Sequence, residues 1–224
     1  RSIRENPRFR THILTLNPQM RLRVSLFGPL LSSGCEVLIS GDEIHKAQLF
    51  DAELALVDNA TSKRRHEFVE TRLLAHEALQ RIGRDGPILR GWAGEPLWPS
   101  GIVGSLSHCS SLCVAVAVSS ESCRALGVDV DDSDELSNTV MKFVFSSEEL
   151  NLLQLASPVE RRAAFCAKEA VSKALSALGE TVDFRKVLVN LTSGGTFTAV
   201  KGGIALHGNW RCYGRLVSAM VTVQ

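Results

Sequence analysis

The sequence predicts an α+β fold in two similar halves, each offering a few strands and one long helix. Three observations predict it. Helical periodicity runs long near residues 61–82 and again near 157–178. Strand-length apolar runs group around both, and a polar turn at Ser119–Ser122 separates the groups. The halves are therefore 1–121 and 122–224, an N-terminal and a C-terminal lobe of one unit.

Taken in order, residues 1–60 carry the weakest periodicity. Arg21–Leu26 and Cys35–Ile39 read as strands, around turns at Gly28-Pro29 and Ser32–Gly34. Thr61–Ile82 is a helix: Phe68, Ala75, Ala78, Leu79 and Ile82 share one side, and Gly83 stops it. Its early turns carry Lys63, Arg64 and Arg65, with Arg72 further on. Gly86–Ser100 has little periodicity and many Gly and Pro, so it is a loop. Val103–Ser107, Leu112–Val118 and Leu126–Val130 are strands. Ser157-Pro158-Val159-Glu160 opens the second long helix with an N-cap serine, a proline at the first helical position and a capping-box glutamate. Along it Ala163, Ala167, Ala170, Ala174 and Leu178 form a narrow stripe of mostly small residues, and Gly179 ends it. Val187–Leu191, Thr196–Val200, a piece near Ile204–Leu206, and Leu216–Val223 complete an antiparallel meander.

Composition narrows the class. Hydrophobic residues are 45% and charged residues 22%, which excludes disordered, collagen-like and coiled-coil chains. Against 24 acidic residues stand 25 Lys and Arg, a formal net charge of +1, so no global basic field argues for nucleic-acid binding. The longest clean apolar run, Leu112–Val118, is too short to span a membrane. The first residues are Arg-rich without the apolar core of a signal peptide, and the chain opens on Arg1 rather than Met, which reads as a trimmed or incomplete start. Six cysteines without a C-x-x-C pair are too sparse for a disulfide scaffold. Cys109 and Cys113 beside His108 lack a fourth zinc ligand at regular spacing. Buried thiols in a reducing, cytoplasmic compartment are the expectation.

Four local features bear chemistry. In Gly127-Val128-Asp129-Val130-Asp131, strand alternation turns both valines inward and sets Asp129 and Asp131 on the other face, about 7 Å apart at Cα. Such a pair suits a hard divalent cation, which takes carboxylates together with phosphate oxygens and water. Alone it is more often a solvated strand end, and Asp132 and Asp134 follow as an acidic run. On the second helix Glu169 and Lys173 are four apart, with Ser172 and Ser176, turned away from the alanine stripe. A surface ion pair is the commoner fate of that spacing. Ser107 and His108 end a strand with a hydroxyl and an imidazole able to donate to phosphate oxygens. A serine-hydrolase elbow is excluded, because His108 stands where G-x-S-x-G needs Gly. The Lys63/Arg64/Arg65/Arg72 cluster is either solvated or a phosphomonoester site.

In their chain order these features resemble a known family. The string W-P-x-G-x-x-G-S-L-S-H-C, then G-V-D-V-D, then F-C-A-K-E-A-x-x-K is similar to the 4′-phosphopantetheinyl transferase superfamily, in the branch containing enterobactin synthase component D, related to the surfactin-type enzymes. The likeness extends upstream to Lys63–Arg72 and Pro96-Leu97-Trp98-Pro99, and covers about residues 60–180.

The resemblance implies two lobes related by a pseudo-twofold axis, each a small antiparallel sheet on a long helix, with coenzyme A between them and a monomer in solution. It implies Mg²⁺-dependent transfer of phosphopantetheine from coenzyme A to a serine of an acyl, peptidyl or aryl carrier protein, for siderophore or other nonribosomal peptide synthesis. Asp129, Asp131 and Glu169 are implied as metal ligands, with Asp131 one methylene shorter than the Glu frequent there. Glu169 is alternatively the base for the carrier serine, so Glu169, Lys173 and Asp129 form the implied catalytic set. Arg64, Arg65, Arg72, Ser107, His108, Lys168 and Lys173 are implied as coenzyme A contacts. Many relatives carry a basic residue where this chain has Glu95, and Arg90 stands nearby as a substitute. A catalytically silent member of the family and an unrelated metal-dependent phosphohydrolase are the alternatives.

Overall fold

The computed structural model describes residues 17–45, 47–92, 94–192 and 194–224. The expectations for the Arg-rich start concern residues 1–16 and lie outside the described residues.

The chain enters through helix α1, Pro18–Ser32, where Asn17 caps the Met20 N–H at 2.8 Å and Pro18 occupies the first turn. This corrects the strand expected at Arg21–Leu26 and the turn at Gly28-Pro29. An interior proline costs a helix roughly 3 kcal/mol, and burial of Leu26, Phe27 and Leu30 along one side outweighs it. Strand β1, Glu36–Ile39, follows. A short helix α2, Asp51–Leu54, runs into a 3₁₀ turn at Ala55–Val57, neither of them evident in the sequence. Helix α3, Ser62–Arg81, agrees with its periodicity. The loop after it contains, among the described residues, only the two-residue strands β2, Leu89–Arg90, and β3, Pro96–Leu97. Strands β4, Ile102–His108, and β5, Cys113–Ser119, form a hairpin. With β1 they make an antiparallel sheet in the order β1-β5-β4. Leu74, Ala75, Ala78 and Leu79 of α3 pack on Leu38, Ala115 and Ala117 of this sheet.

The second half opens with β6, Ala125–Asp131. Helices α4, Asn138–Val144, and α5, Ser147–Leu153, fill a stretch the sequence left unassigned. Each starts at a capping serine, Ser137 and Ser146. Helix α6, Pro158–Ala177, has the expected capping box between Ser157 and Glu160. A 3₁₀ turn at Phe184–Lys186 then leads into β7, Leu188–Leu191, β8, Thr196–Lys201, β9, Ile204–Tyr213, and β10, Leu216–Val223. With β6 they form an antiparallel sheet in the order β6-β10-β9-β8-β7. The strand expected to stop at Leu206 continues to Tyr213. Gly208 lets β9 go on, because a side chain there would meet the Phe197 ring at 2.2 Å.

The two sheet-plus-helix halves are joined in two ways. Leu26, Phe27, Val37, Val116, Val128 and Met220 belong to one buried cluster, so α1 and both sheets share a core. Beside it, the Val128 and Val130 N–H groups of β6 donate to the Ser105 and Ser107 Oγ atoms of β4 at 3.0 and 3.3 Å. Serine hydroxyls thus satisfy edge N–H groups where a continuous sheet would use carbonyls.

Helix α6 lies close on β6. A Cβ on Gly127 would sit 1.8 Å from the Ala170 carbonyl oxygen, and Ala163, Ala167, Ala170 and Ala174 are fully buried along the contact. Gly127→Ala is therefore expected to cost about 2 kcal/mol or more, since backbone must move to admit one methyl. A thermal melt of the variant within a degree of wild type would contradict this packing.

Candidate active site

The close crossing of α6 over β6 decides where its charges go. Lys173, one turn beyond Ala170, donates its Nζ to Asp129 Oδ1 at 2.7 Å and to the Val128 carbonyl at 3.0 Å. From the opposite half, Ser107 Oγ donates to the same Oδ1 at 2.8 Å. Asp129 therefore stands at the seam, only 7% exposed, with one oxygen bonded from both sides. Glu169 is half-buried on α6. Burial, and then the negative charge of Asp129, pushes its carboxyl above the usual carboxylate range against the opposing pull of Lys173. A carboxyl raised by a neighbouring carboxylate suits a cation: a divalent ion such as Mg²⁺ takes one or two carboxylates and fills its other positions with phosphate oxygens and water.

Asp131, the other carboxylate of the β6 motif, has protein partners of its own. Its Oδ2 accepts from Ser133 Oγ at 2.8 Å and lies 3.5 Å from a nitrogen of the buried Arg162. That guanidinium also bonds the carbonyls of Ser133 and Arg215 at 2.7 and 2.8 Å. Asp131 is thus already matched by a protein cation. Among the described residues no three His, Cys, Asp or Glu side chains stand together as a ready metal cage. The donor chemistry of Asp129 and Glu169 fits a divalent ion completed by substrate oxygens and water.

A cleft of about 590 Å³ opens from Asp129 and Lys173 toward α3, walled by both halves. Its far end carries Arg64, Arg72 and His108, and its rim Arg90 and Glu95. The sequence-predicted cations separate here. Arg72 is buried, 4.7 Å above the Phe68 ring and 3.7 Å from Glu53, and desolvation pushes its guanidinium down to about 10, still charged at neutral pH. Arg64 lies 3.3 Å from His108 Nε2, which is itself 3.2 Å from Glu67. Burial lowers the His108 imidazole, Glu67 works against that, and Arg64 and Lys173 add to it. Arg65 turns away from the cleft, to the carbonyls of Val57 and Asp58 and the Asp58 carboxylate at 3.3–3.4 Å, and ties down the turn before α3.

Lys168 is the clearest correction. It is fully buried, and its Nζ bonds Glu149 at 2.7 Å, the Phe184 carbonyl at 2.8 Å and the Val144 carbonyl at 3.2 Å, above the Phe145 ring. It cannot meet a ligand in the cleft. Five residues separate Lys168 from Lys173, about 140° around the helix, so the two amines leave on different sides. Ser107 lines the cleft, but its proton goes to Asp129. All six cysteines are free; Cys35, Cys113, Cys123 and Cys166 are buried as expected, whereas Cys109 is half-buried and Cys212 is exposed. No described helix is long and apolar enough to cross a membrane.

Several site residues escaped the sequence reading. Glu67 had a usable signal, its spacing of three and four from Arg64 and Lys63. Glu53 and Arg162 had none, because their partners are distant in sequence. The motif pair Trp98 and Gly104 explains itself spatially: a Cβ on Gly104 would strike the Trp98 ring at 2.3 Å, so the glycine seats the indole on β4.

Comparison with known proteins agrees with this architecture. Residues 52–118 match the 4′-phosphopantetheinyl transferase N-terminal domain, and residues 125–221 the 4′-phosphopantetheinyl transferase superfamily. The 4′-phosphopantetheinyl transferase Svp of Streptomyces mobaraensis is 36% identical over 193 residues, 78% of each chain. The 4′-phosphopantetheinyl transferase PptT of Mycobacterium tuberculosis is 38% identical over 126 residues, 54% of this chain and 56% of that one. Enterobactin synthase component D of Salmonella typhi is 35% identical over 123 residues, 53% and 51%. The aligned stretch is thus about half the length of the latter two. The chain belongs to the 4′-phosphopantetheinyl transferase superfamily.

Because Lys168 holds α4, α5 and the 3₁₀ turn at Phe184–Lys186 onto α6, Lys168→Ala should unfold the protein rather than weaken a ligand. Leaving Glu149 buried and unpaired costs roughly 3–5 kcal/mol. Chemical denaturation measures the loss. A stably folded variant with selectively weakened coenzyme A binding would return Lys168 to the cleft.

Proposed function

We propose that this chain is a 4′-phosphopantetheinyl transferase, moving phosphopantetheine from coenzyme A to a carrier-protein serine and releasing adenosine 3′,5′-bisphosphate. The observation that carries the reading is the junction at Asp129, where Lys173 and Ser107 meet on one carboxylate at the inner end of a cleft lined with arginines. Halves 1–121 and 122–224 are read as lobes of one unit. Both walls come from a single chain, which supports action as a monomer.

The chemistry follows from the positions. The serine oxygen bonds to the phosphorus carrying the pantetheine arm, the bridging P–O bond breaks, and the pair of electrons leaves with the nucleotide 5′-phosphate. Lys173 places a cation where that charge develops. Glu169, with its raised carboxyl, is positioned to take the serine proton or to share a metal with Asp129. Mg²⁺, when bound there, supplies further charge neutralisation for the pyrophosphate. Asp131, two residues along β6 and bonded by Ser133 and Arg162, is the further carboxylate available to such an ion. Arg72, Arg64 and His108 receive the nucleotide end, with its 3′-phosphate, through charge-assisted hydrogen bonds. The enterobactin synthase component D relatives favour carriers of siderophore or other nonribosomal peptide synthesis. Six free thiols favour a cytoplasmic setting.

Intact-mass analysis of a carrier protein after incubation with enzyme, coenzyme A and Mg²⁺ should show one phosphopantetheine added. Asp129→Ala should abolish the addition while keeping the native circular dichroism spectrum. Transfer that persists in excess chelator removes the metal role. Free phosphopantetheine released without a carrier supports a phosphohydrolase, and coenzyme A binding with no transfer to any carrier supports a silent member.

The charges of α6 should separate kinetically. Glu169→Gln is expected to lower kcat with coenzyme A still bound, and Lys173→Ala to weaken coenzyme A binding, slow cleavage, or both. Steady-state kinetics at saturating carrier distinguish them. Wild-type values in both variants would leave the pair a solvated helix face.

A further inference from the structure

Behind Arg72 lies a buried carboxylate–imidazole pair that the transfer chemistry does not use. Glu53 is completely buried, yet each of its oxygens is engaged. Oε1 accepts from the Ile88 N–H at 2.9 Å, Oε2 from the Phe50 N–H at 2.9 Å, and His76 Nε2 bridges both at 2.9 and 2.8 Å. Burial alone would raise the Glu53 carboxyl, but the bonds from His76, Phe50 and Ile88 outweigh it and hold the group below the usual carboxylate range. It is therefore a fixed anion under the cleft floor.

Arg72, 6% exposed, stands between that anion and the cleft it lines. Its Nε is 3.7 Å from Glu53 Oε1, beyond hydrogen-bond reach, and no acceptor takes that buried N–H. The charge of Glu53 offsets the desolvation of the guanidinium without consuming its donors. A carboxylate free to rotate would instead close onto Arg72 in a bidentate pair and remove it from ligand binding. Glu53 cannot do so while His76 and two backbone N–H groups hold it.

We propose that Glu53 and His76 are positioning residues that hold Arg72 charged, fixed and donor-available for a ligand phosphomonoester. The inference rests on the transferase reading, in which that group is the 3′-phosphate of coenzyme A. It gives the buried pair a role in specificity that neither residue could perform by contact, since both lie beneath the arginine.

The test is calorimetric titration of the full-length chain with coenzyme A and with 3′-dephospho-coenzyme A. Wild type should prefer the 3′-phosphorylated ligand, and Arg72→Ala should lose that preference. Glu53→Gln should lose about tenfold in affinity for coenzyme A, the equivalent of one charge-assisted hydrogen bond, with 3′-dephospho-coenzyme A unaffected. His76→Phe removes the donor that restrains Glu53 while keeping a ring, and is read the same way if Glu53→Gln fails to fold by circular dichroism. Equal weakening of both ligands would mean a structural role only and overturns the inference. So does an intact preference in the folded variants when Arg72→Ala has lost it, which leaves the transferase reading standing. A wild type that binds coenzyme A with no preference for the 3′-phosphate overturns the assignment of Arg72 and this inference with it.

Discussion

The site depends on how two strand edges are joined without becoming one sheet. Ser105 and Ser107 of β4 accept the N–H groups of Val128 and Val130 of β6, so side-chain oxygens take the place of a backbone ladder. An unbroken ladder would have drawn β4 and β6 to about 4.8 Å and left no opening. The hydroxyls satisfy the edge and hold the strands apart. Ser107 then has its own proton to give, and gives it to Asp129. The same atom closes the seam and orients the carboxylate at its mouth. Asp132 repeats the linkage at the strand ends, bonding Ser110 Oγ at 2.6 Å and its N–H at 3.2 Å. These bonds, with that of Ser111, overcome burial and draw the carboxyl down to about 2.

On the other side of β6, packing does the placing. Gly127 and the buried alanines bring the α6 backbone within contact of the strand, so Lys173 needs no long reach to Asp129. The helix must also resist rotation. The buried Lys168–Glu149 pair supplies that, because Glu149 also accepts from the Ser146 and Val189 N–H groups and ties α5 and β7 to α6. A buried pair adds little net stability, since desolvation offsets its attraction. Its effect is a fixed register. Burial lowers the Lys168 amine and Glu149 raises it in turn, so the pair acts as one unit.

The arginines in and around the cleft differ in how far the protein has already engaged them. Arg65 is spent on a turn, and Arg64 shares His108 with Glu67. Arg162 neutralises Asp131 and braces the carbonyls of Ser133 and Arg215. Arg72 keeps a buried N–H without an acceptor. Counting positive residues along α3 and α6 would rank these arginines alike. What distinguishes them is which oxygens fold back to meet them.

The sequence by itself determined the repeated pattern of strands and helix, the two long helices with their caps, most strands, and the family, because periodicity, capping and short motifs are local properties. It also set Asp129, Glu169 and Lys173 near one another, since motif spacing preserves that neighbourhood. Only the tertiary structure decided the rest. Arg21–Leu26 became helix because its apolar side is buried against both sheets, a benefit invisible to local propensity. Lys168 left the site because 100° per residue carried it to the buried side of α6, where Glu149 waited from another helix. Asp131 was matched by Arg162, and Arg72 was backed by Glu53, through partners 31 and 19 residues away in the chain. Local pattern specifies which groups are present; long-range packing specifies which of them remain free to act.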